Sequence, residues 1–346
     1  MIFFVVWGGD DMSRKTVTVR YYSTIEQKSV DWLWFPYIPY GRITIVQGDP
    51  GEGKTTFALN LAARLSIGQA MPESLISQVE PAKVIYQSTE DGLADTVKPR
   101  LVSAGADCSR IAFIEDGDYP LTLGDERLEK AVVESGAKLL VLDPLQAFIG
   151  MSADMHRAND MRPLFQKLAG IAERTGCAVV IIGHMNKASG SKGLYRGLGS
   201  IDIAAAARSV LLIGRLKENP TIRVMTQLKN SLAPEGRSVA FELAEEGRLR
   251  WIGYYDVTAD DLLNGSPPVE EGKREQAQNL LREMLETTSM SCVEVYSKLR
   301  LQGISERTVD TAKRLLNIKS LKQSDGWYWT LPQNNIHEQE TSHEEG

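Results

Sequence analysis

The chain contains little cysteine, and its three cysteines, Cys108, Cys177 and Cys292, are widely separated without any C-x-x-C spacing. Zinc ribbons and disulfide-stapled folds need cysteines in closely spaced or paired patterns. The spacing argues against both classes. Because scattered, unpaired cysteines are typical of a reducing compartment, it predicts a cytoplasmic location.

Long hydrophobic runs are also absent. The apolar segment at the N-terminus, residues 1–7, is far too short to span a bilayer. It lacks the basic flank and the small-residue cleavage site of a signal peptide. The sequence therefore predicts no membrane association. We interpret residues 1–24 as an N-terminal tail, in which residues 1–11 are either an over-extended start before Met12 or a disordered stretch.

Positive charge is not in excess, since 39 Lys and Arg face 45 Asp and Glu for a net charge of −6. Any contact with nucleic acid must therefore come from local basic patches. A hydrophobic content of 42% and a charged content of 24% are those of an ordinary globular protein. The length of 346 residues favours two domains, one of them large enough for a full α/β core.

One stretch, residues 48–55, reads G-x-x-x-x-G-K-T and predicts a phosphate-binding P-loop. Glycines let the backbone N–H groups turn toward a phosphate, a lysine adds a point charge, and a hydroxyl holds Mg²⁺. The β-branched run 42–47 before it and the Ala- and Leu-rich run 55–67 after it predict a buried strand and a helix. The predicted nucleotide-binding residues are Gly48, Asp49, Pro50, Gly51, Glu52, Gly53, Lys54, Thr55 and Thr56.

Polar residues follow three further apolar runs, 83–88, 138–142 and 177–183. In open α/β sheets, ligands bind at the carboxyl ends of the strands. Glu90, beside Asp91, is placed to deprotonate an attacking water. Asp143 ends a Walker B pattern and would share Mg²⁺ with Thr55, while His184 is placed to sense the γ-phosphate. An acid that only caps the next helix and a histidine satisfied in the core are the structural alternatives.

Two polar segments are candidates for nucleic-acid contact. Residues 146–162 show little apolar periodicity and precede a helix predicted over 163–175, whereas residues 188–200 hold four glycines, which predicts a mobile loop. Basic residues beside an aromatic one can follow a phosphate backbone and stack a base, although a linker without a ligand has the same composition. The candidate residues are Arg157, Arg162, Lys187, Lys192, Tyr195 and Arg196.

The segment 30–41, which precedes the P-loop strand, is aromatic and interrupted by prolines, so it cannot be a regular helix. It is either a lid that packs over the first strand or a source of an aromatic ring near an adenine base. Both interpretations are open from sequence.

A second unit follows the Asn-Gly-Ser-Pro-Pro stretch at 264–268, which we interpret as part of a linker over 263–272. Helices at 273–286, 291–301 and 305–316 and a hairpin over 321–331 predict a winged helix-turn-helix in a domain of residues 273–332. Residues 273–331 contain ten Lys or Arg against seven Asp or Glu, which permits binding to DNA or docking to a replication protein. Residues 333–346 read as a disordered acidic tail.

Taken in order, the P-loop, the Ser88–Asp91 strand end, Walker B and His184–Lys187 resemble the RecA-type core, and within it the RepA-like hexameric helicase family. The resemblance covers roughly residues 25–332. It implies an α/β fold with a RecA-like P-loop core over 25–262, a mostly parallel central sheet and a small C-terminal winged-helix domain. It also implies ATP and Mg²⁺ as cofactors and a homo-oligomer, a hexamer, around single-stranded DNA.

The same resemblance gives roles to basic residues that serve a neighbouring subunit. Arg208 matches the arginine finger of the family, and Lys229 matches the finger lysine. Related ring helicases carry a Lys-x-Arg pair, but Ser231 stands at the place of the arginine. The role of the missing arginine would then fall on Arg208, and an isolated subunit should hydrolyse ATP slowly.

The leading hypothesis is a DNA-stimulated ring ATPase, a helicase in plasmid, phage or mobile-element replication. The alternative is an ATPase of the same type that does not unwind DNA, such as a switch, a loader or a recombination regulator. The acidic net charge and a winged helix able to dock a protein favour the alternative. A metabolic P-loop kinase is the third class, which would need a substrate pocket and a lid with arginines.

Overall fold

The computed structural model describes most of the chain apart from its ends and several internal stretches. The described residues are 19–74, 76, 78–150, 153–155, 157–184, 201–216, 219–244, 248–255, 257–264, 271–286, 288–323 and 326–332. Residues 1–18 of the tail predicted over 1–24, the tail predicted over 333–346, and the candidates Lys187, Lys192, Tyr195 and Arg196 lie outside them.

Strands and helices alternate between residues 43 and 215. The strands are β1 (Trp32–Trp34), β2 (Ile38–Pro39), β3 (Ile43–Gly48), β4 (Val84–Ser88), β5 (Ile111–Ala112), β6 (Leu139–Asp143), β7 (Ala178–His184), β8 (Ser209–Arg215), β9 (Ile222–Asn230), β10 (Val239–Leu243), β11 (Leu249–Tyr254), β12 (Met290–Ser291), β13 (Lys319–Gln323) and β14 (Gly326–Thr330). The α-helices are α1 (Lys54–Ser66), α2 (Lys98–Ser103), α3 (Glu126–Ser135), α4 (Ala158–Thr175), α5 (Ile201–Ala206), α6 (Ala259–Asn264), α7 (Glu271–Leu285), α8 (Cys292–Leu301) and α9 (Glu306–Leu315).

The central sheet has nine strands in the order β11-β10-β9-β8-β3-β7-β6-β4-β5. The six strands from β8 to β5 in this order run parallel, and β9, β10 and β11 continue the sheet antiparallel. Parallel pairs need helical crossovers, which the chain supplies between β3, β4, β6 and β7. The predicted α/β fold with a large, mostly parallel sheet is confirmed.

Helices cover both faces of the sheet, which explains why its central strands are apolar without alternation. On one face, Leu128 of α3 and Phe165 of α4 pack with Ile45 of β3 in one buried cluster. On the other face, Phe57 of α1 packs with the next residue of β3, Val46. Successive residues of one strand therefore enter opposite halves of the core.

Two predicted boundaries were wrong. Helix α4 begins at Ala158, earlier than the predicted 163, because its polar first turn buries Met161 while showing little periodicity. Arg162 is therefore a helical residue and does not belong to a loop. The linker predicted over 263–272 is too long, since residues 263–264 belong to α6 and 271–272 to α7.

Some elements carried no sequence prediction. A π-helical turn, Leu93–Val97, runs directly into α2 after the acidic pair. Lys98 and Pro99 begin α2, where proline is tolerated because the first turn has no partner for its N–H group. Among the described helices, none is long and apolar enough to cross a membrane.

The aromatic segment before β3 packs into the core. Trp34 is buried, its indole N–H donates to the carbonyl of Pro72 at 2.9 Å, and its ring lies 6.2 Å from that of Phe57 and 5.7 Å from that of Trp251. The hydroxyl of Tyr37 donates to the carbonyl of Arg237 at 2.6 Å. These contacts favour the interpretation of the segment as a lid that packs over the first strand.

We expect the Trp34→Ala variant to lose about 3–5 kcal/mol of unfolding free energy, the usual cost of deleting a buried large aromatic. Chemical denaturation followed by circular dichroism measures it. Phe35→Ala is the matched control, because Phe35 is 64% exposed and should cost little. Equal losses in the two variants would contradict a core role for Trp34.

The C-terminal part of the chain has a hydrophobic cluster of its own. Helices α7, α8 and α9 pack beside a three-stranded sheet of order β12-β14-β13, with Leu281, Val295 and Val309 in the common core. Serines cap α8 and α9, since Ser291 Oγ accepts from the Glu294 N–H at 3.3 Å and Ser305 Oγ from the Thr308 N–H at 3.2 Å.

Candidate active site

The P-loop connects β3 to α1 and depends on its glycines. A Cβ on Gly48 would collide with the carbonyl oxygen of Ile213 on β8. Gly53 has a φ of +87°, and a Cβ there would lie 2.8 Å from Leu243. Only glycine fits the first position and suits the second without strain. The loop thus wraps tightly around the start of α1, with its N–H groups at a helix N-terminus.

Lys54 is buried at this helix start. Its ammonium donates to the carbonyls of Gly48 and Asp49, both at 2.8 Å, inside the curl of the loop. Burial lowers the pKa of Lys54, and the carboxylates of Asp143, Glu52, Asp49 and Glu90 oppose the shift. A buried ammonium held by carbonyl oxygens is a site for an anionic group.

Asp143 lies at the end of β6, beside the loop. Its Oδ2 accepts a hydrogen bond from the Thr55 hydroxyl at 2.8 Å and one from the Tyr86 hydroxyl at 2.9 Å. Burial raises the pKa of Asp143, while these two hydrogen bonds favour the carboxylate form. Tyr86, on β4, was missed in the sequence because a tyrosine in a buried strand looks like an ordinary core residue.

We expect Tyr86→Phe to weaken the response to Mg²⁺ by about 10–100-fold, as is usual when a group that orients a metal ligand is lost. The phenylalanine fills the same buried space, so the fold should persist. A titration of ATPase rate against free Mg²⁺ measures the shift. Tyr296→Phe removes a hydroxyl that donates to Asp310 in the C-terminal part and should leave the titration unchanged. An unshifted midpoint in Tyr86→Phe would contradict the role.

Glu90 and His184 face each other across the ends of β4 and β7. Glu90 Oε2 lies 3.8 Å from His184 Nε2, and the Glu90 side chain is 65% exposed. His184 Nδ1 is buried and has no hydrogen-bond partner among the residues that the structure describes. The neighbouring Asp91 accepts from Arg100 at 3.1 Å, so the two acids differ in their partners. The Glu90 carboxylate is among those that oppose the lowering of the Lys54 pKa by burial. Asp91 instead adds to burial in raising the pKa of Asp143.

These residues fit a magnesium–nucleotide. A glycine cradle that Cβ atoms would fill and a buried lysine suit the phosphates. The Thr55 hydroxyl and the Asp143 carboxylate, 2.8 Å apart, are the hard oxygen ligands that Mg²⁺ prefers. Bound Mg²⁺ would neutralise phosphate charge, and the protein groups would fix its position.

Arg208 and Lys229 do not join this site. The Arg208 N–H donates to the Ile43 carbonyl at 3.0 Å, which places Arg208 beside the start of β3, at the opposite end of that strand from Gly48. Its side chain is exposed. The Lys229 ammonium donates to the carbonyls of Ala204 and Ala207, both at 2.8 Å, and so caps the C-terminal end of α5 in the same chain.

A cluster of three charged residues lies against the P-loop and was missed in the sequence. Arg215 Nε at the end of β8 donates to Glu52 Oε1 at 2.7 Å, and Arg223 Nε on β9 lies 3.5 Å from Glu52 Oε2. The Glu52 side chain is only 10% exposed. No local pattern could have joined residues so far apart in the chain.

The comparisons with known proteins agree with this geometry. The family model described as "AAA domain", AAA_25, matches residues 10–190, more than half of the chain. The chain belongs to this AAA domain family. Its matched part contains the P-loop, Glu90, Asp143 and His184.

Curated relatives place this AAA domain protein among RecA-type ATPases. It is 27% identical over 231 residues to the DNA repair protein RadA of Halalkalibacterium halodurans, covering 65% of this chain and 44% of the relative. It is 25% identical over 292 residues to Protein RecA of Rubrobacter xylanophilus, covering 77% and 80%. Circadian clock protein KaiC2 of Synechocystis is 28% identical over 165 residues, covering 46% of this chain and 28% of the relative. The chain thus spans less than half of its RadA and KaiC2 relatives. The AAA domain and these RecA and RadA relatives support a RecA-type P-loop ATPase.

Of the candidates for nucleic-acid contact in this ATPase, the structure describes Arg157 and Arg162. Arg157 is exposed, and its Nε lies 3.6 Å from Asp154 Oδ2 just before α4. Arg162 is exposed on the first turns of α4. Both follow the buried 3₁₀ turn Leu145–Phe148 after Asp143, so this segment is anchored directly behind the Walker B strand.

Proposed function

We propose that this chain is the subunit of a ring-forming ATPase that hydrolyses ATP between neighbouring copies and couples hydrolysis to movement on single-stranded DNA. The assembly would be a homo-oligomer, a hexamer in the RepA-like pattern, acting as a DNA helicase in plasmid, phage or mobile-element replication.

The observation that carries this proposal is the position of Arg208. Arg208 pairs with Ile43 at the start of β3, and Gly48 ends the same strand about 16 Å away. That span is longer than one arginine side chain, so Arg208 cannot reach the phosphates of its own P-loop. An exposed arginine at the amino ends of the parallel strands, on the opposite side of the sheet's length from the P-loop, is placed to serve the site of a neighbouring copy.

The contacts of Lys229 divide the two finger candidates. Because its ammonium holds the carbonyl end of α5, Lys229 fixes the helix that leads directly into Arg208. Burial and the nearby Arg208 lower the pKa of Lys229, burial being the larger cause. We infer that Lys229 orients Arg208, and that Arg208 alone is the finger, in line with the serine at 231.

The residues around the P-loop divide the catalytic work. The N–H groups of the loop and Lys54 would hold the phosphates, and Thr55 and Asp143 would hold Mg²⁺. Glu90 would take the proton of the attacking water. His184, whose Nε2 lies 3.8 Å from Glu90 Oε2, would contact a γ-phosphate oxygen. Arg208 of a neighbour would stabilise the charge that develops on the transferred phosphoryl group.

The C-terminal part supports a DNA- or protein-binding role. Its order of helix, short strand, two helices and hairpin supports the proposal of a winged helix-turn-helix, in which α9 would be the recognition-like helix. Near the end of α9, the Arg314 guanidinium lies 4.5 Å from the ring centroid of Tyr255 in the ATPase core. The first turns of α9 would remain for DNA or a replication protein.

A second function is a RecA-type ATPase that does not unwind DNA, such as a switch, a loader or a recombination regulator. The name of one relative, the DNA repair protein RadA, favours a role in DNA repair. The net charge of −6 suits a switch or a loader that depends on a partner protein. A strand-displacement assay on forked DNA separates the two functions, because both hydrolyse ATP and only a helicase releases the strand.

The test of the main proposal is the ATPase rate per subunit as a function of protein concentration, with and without a single-stranded oligonucleotide. A rate that rises with concentration and rises again with DNA is expected for sites shared between copies. A rate that is flat in both would overturn the shared site and the DNA coupling together.

A further inference from the structure

The P-loop of this chain contains an acidic residue in a loop that must accept phosphate. Glu52 stands one residue before Gly53, the second glycine of the G-x-x-x-x-G-K-T motif, and its side chain is 10% exposed. A carboxylate there repels an anionic ligand, and little solvent screens it. Its presence therefore needs a physical account.

Two arginines approach this carboxylate from the β8–β9 hairpin. Arg215 and Arg223 are directly opposite each other in the antiparallel register. Like charges in directly opposed positions destabilise a strand pair unless a counter-charge lies between them. Glu52 supplies that counter-charge from the P-loop, so the end of the hairpin and the loop depend on each other.

The three side chains fix the loop by more than charge. Arg215 Nε donates to Glu52 Oε1 at 2.7 Å, and its Nη2 donates to the Gly51 carbonyl at 3.5 Å. One guanidinium thereby spans the side chain and the backbone of the loop. Arg223 is 8% exposed and lies 3.5 Å from Glu52 Oε2. Within the described residues, neither Glu52 Oε2 nor Arg223 Nε has a hydrogen bond, so the two atoms face each other alone.

The cluster has two positive groups and one negative group, which leaves a net positive charge beside the phosphate-binding loop. The Glu52 carboxylate therefore repels a bound phosphate only weakly. Its contribution is to fix the position of the loop. The Gly51 carbonyl is turned toward Arg215, away from the concave side where the N–H groups must point.

We propose that Glu52, Arg215 and Arg223 are positioning residues for nucleotide binding, which hold the P-loop in its phosphate-binding conformation by tying it to the β8–β9 hairpin. This inference rests on nucleotide binding at the P-loop, as the proposed function does, and is independent of ring assembly and of DNA.

The experiment measures the Kd of magnesium ADP by calorimetry for the full chain and for three variants. Glu52→Gln keeps the shape of the side chain and removes its charge. We expect it to weaken binding by about 10–100-fold, the fold-change that loss of a charge-assisted hydrogen bond produces. A purely electrostatic role has the opposite sign, because removing a negative charge would tighten the binding of an anion.

The second variant, Glu52→Gln with Arg223→Gln, separates positioning from folding. Glu52→Gln alone leaves Arg223 as a buried cation without a counter-charge, whereas the double variant removes both charges of that pair. We expect the double variant to regain thermal stability while its Kd stays weak. Thermal unfolding without nucleotide gives the stability readout.

Glu242→Gln is the matched control, because Glu242 pairs with Arg250 between two other strands of the same sheet. It should bind like the wild type. Unchanged or tighter binding in Glu52→Gln, or a Kd that recovers with stability in the double variant, would overturn the proposal. If the wild type itself did not bind magnesium ADP, the proposed function would fail instead.

Discussion

Replacing Arg208 by alanine is expected to lower the ATPase rate by about 10³–10⁵-fold, the usual contribution of an arginine finger. The physical reason is that an unscreened guanidinium would stabilise the charge on the transferred phosphoryl group. Nucleotide binding by the variant should be nearly unchanged, since Arg208 lies at the start of β3 and its own P-loop follows the end of that strand. Steady-state phosphate release and calorimetry measure the two quantities.

A mixing experiment identifies the site that Arg208 serves. Lys54→Ala removes the lysine of the P-loop, so that variant should not bind nucleotide, but it keeps Arg208. When the two inactive variants are mixed, about a quarter of the sites should pair an intact P-loop with an intact finger, for random head-to-tail neighbours. Activity should therefore return. No recovery, with oligomers present, would contradict a shared site.

Arg42→Ala is the control for Arg208, because Arg42 stands at the same end of the parallel strands, one residue before β3. The change removes its pair with Glu173 at 3.6 Å and its hydrogen bond to the Gly41 carbonyl at 2.7 Å. Its ATPase rate should stay close to that of the wild type. An equal loss in Arg42→Ala would mean that any change at this end of the strands disturbs assembly, and that the rate does not depend on one finger.

The second large effect is expected from Glu90→Gln, which should lower turnover by about 10²–10⁴-fold, the range for loss of a general base. Glutamine keeps the size and one acceptor oxygen but cannot take a proton from water. Binding of ATP should be spared, and single-turnover measurements with excess enzyme separate binding from chemistry.

Asp91→Asn provides the comparison within the same acidic pair. Asp91 is held by Arg100 at 3.1 Å, whereas Glu90 faces His184, so only Glu90 should matter for the chemical step. Wild-type turnover in Glu90→Gln would remove the assignment of the base. A large loss in Asp91→Asn together with a small one in Glu90→Gln would move the role to Asp91.

The sequence predicted the sheet well, because its central strands are continuous apolar runs that end in polar residues. Gly48, Lys54, Asp143 and His184 stand at the ends of such runs or soon after them, and the parallel pairing of the strands brings these carboxyl ends to the same side of the sheet. The start of α4 was predicted wrongly since its first turn is polar outside and buries few residues. The hairpin over 321–331 gave no sign of β12, which joins β14 by only two residue pairs.

Contacts between distant residues could not be predicted. Tyr86 and Asp143 lie on neighbouring strands, so their hydrogen bond needs the strand order that only the fold supplies. Lys229 looked like a finger by position, and its bonds to the carbonyls of α5 became visible only when β9 was placed beside that helix. Glu52, Arg215 and Arg223 meet for the same reason.

Strand β8 has one further consequence. It begins next to Arg208, where the parallel strands start, and ends at Arg215 beside the P-loop, where they finish. If Arg208 serves a neighbour, each copy offers a donor surface at the amino ends of the strands and a separate acceptor surface at their carboxyl ends. A head-to-tail contact brings the donor surface of one copy to the acceptor surface of the next. Such an interface is heterologous, so the assembly either closes as a cyclic ring or grows as an open helical filament.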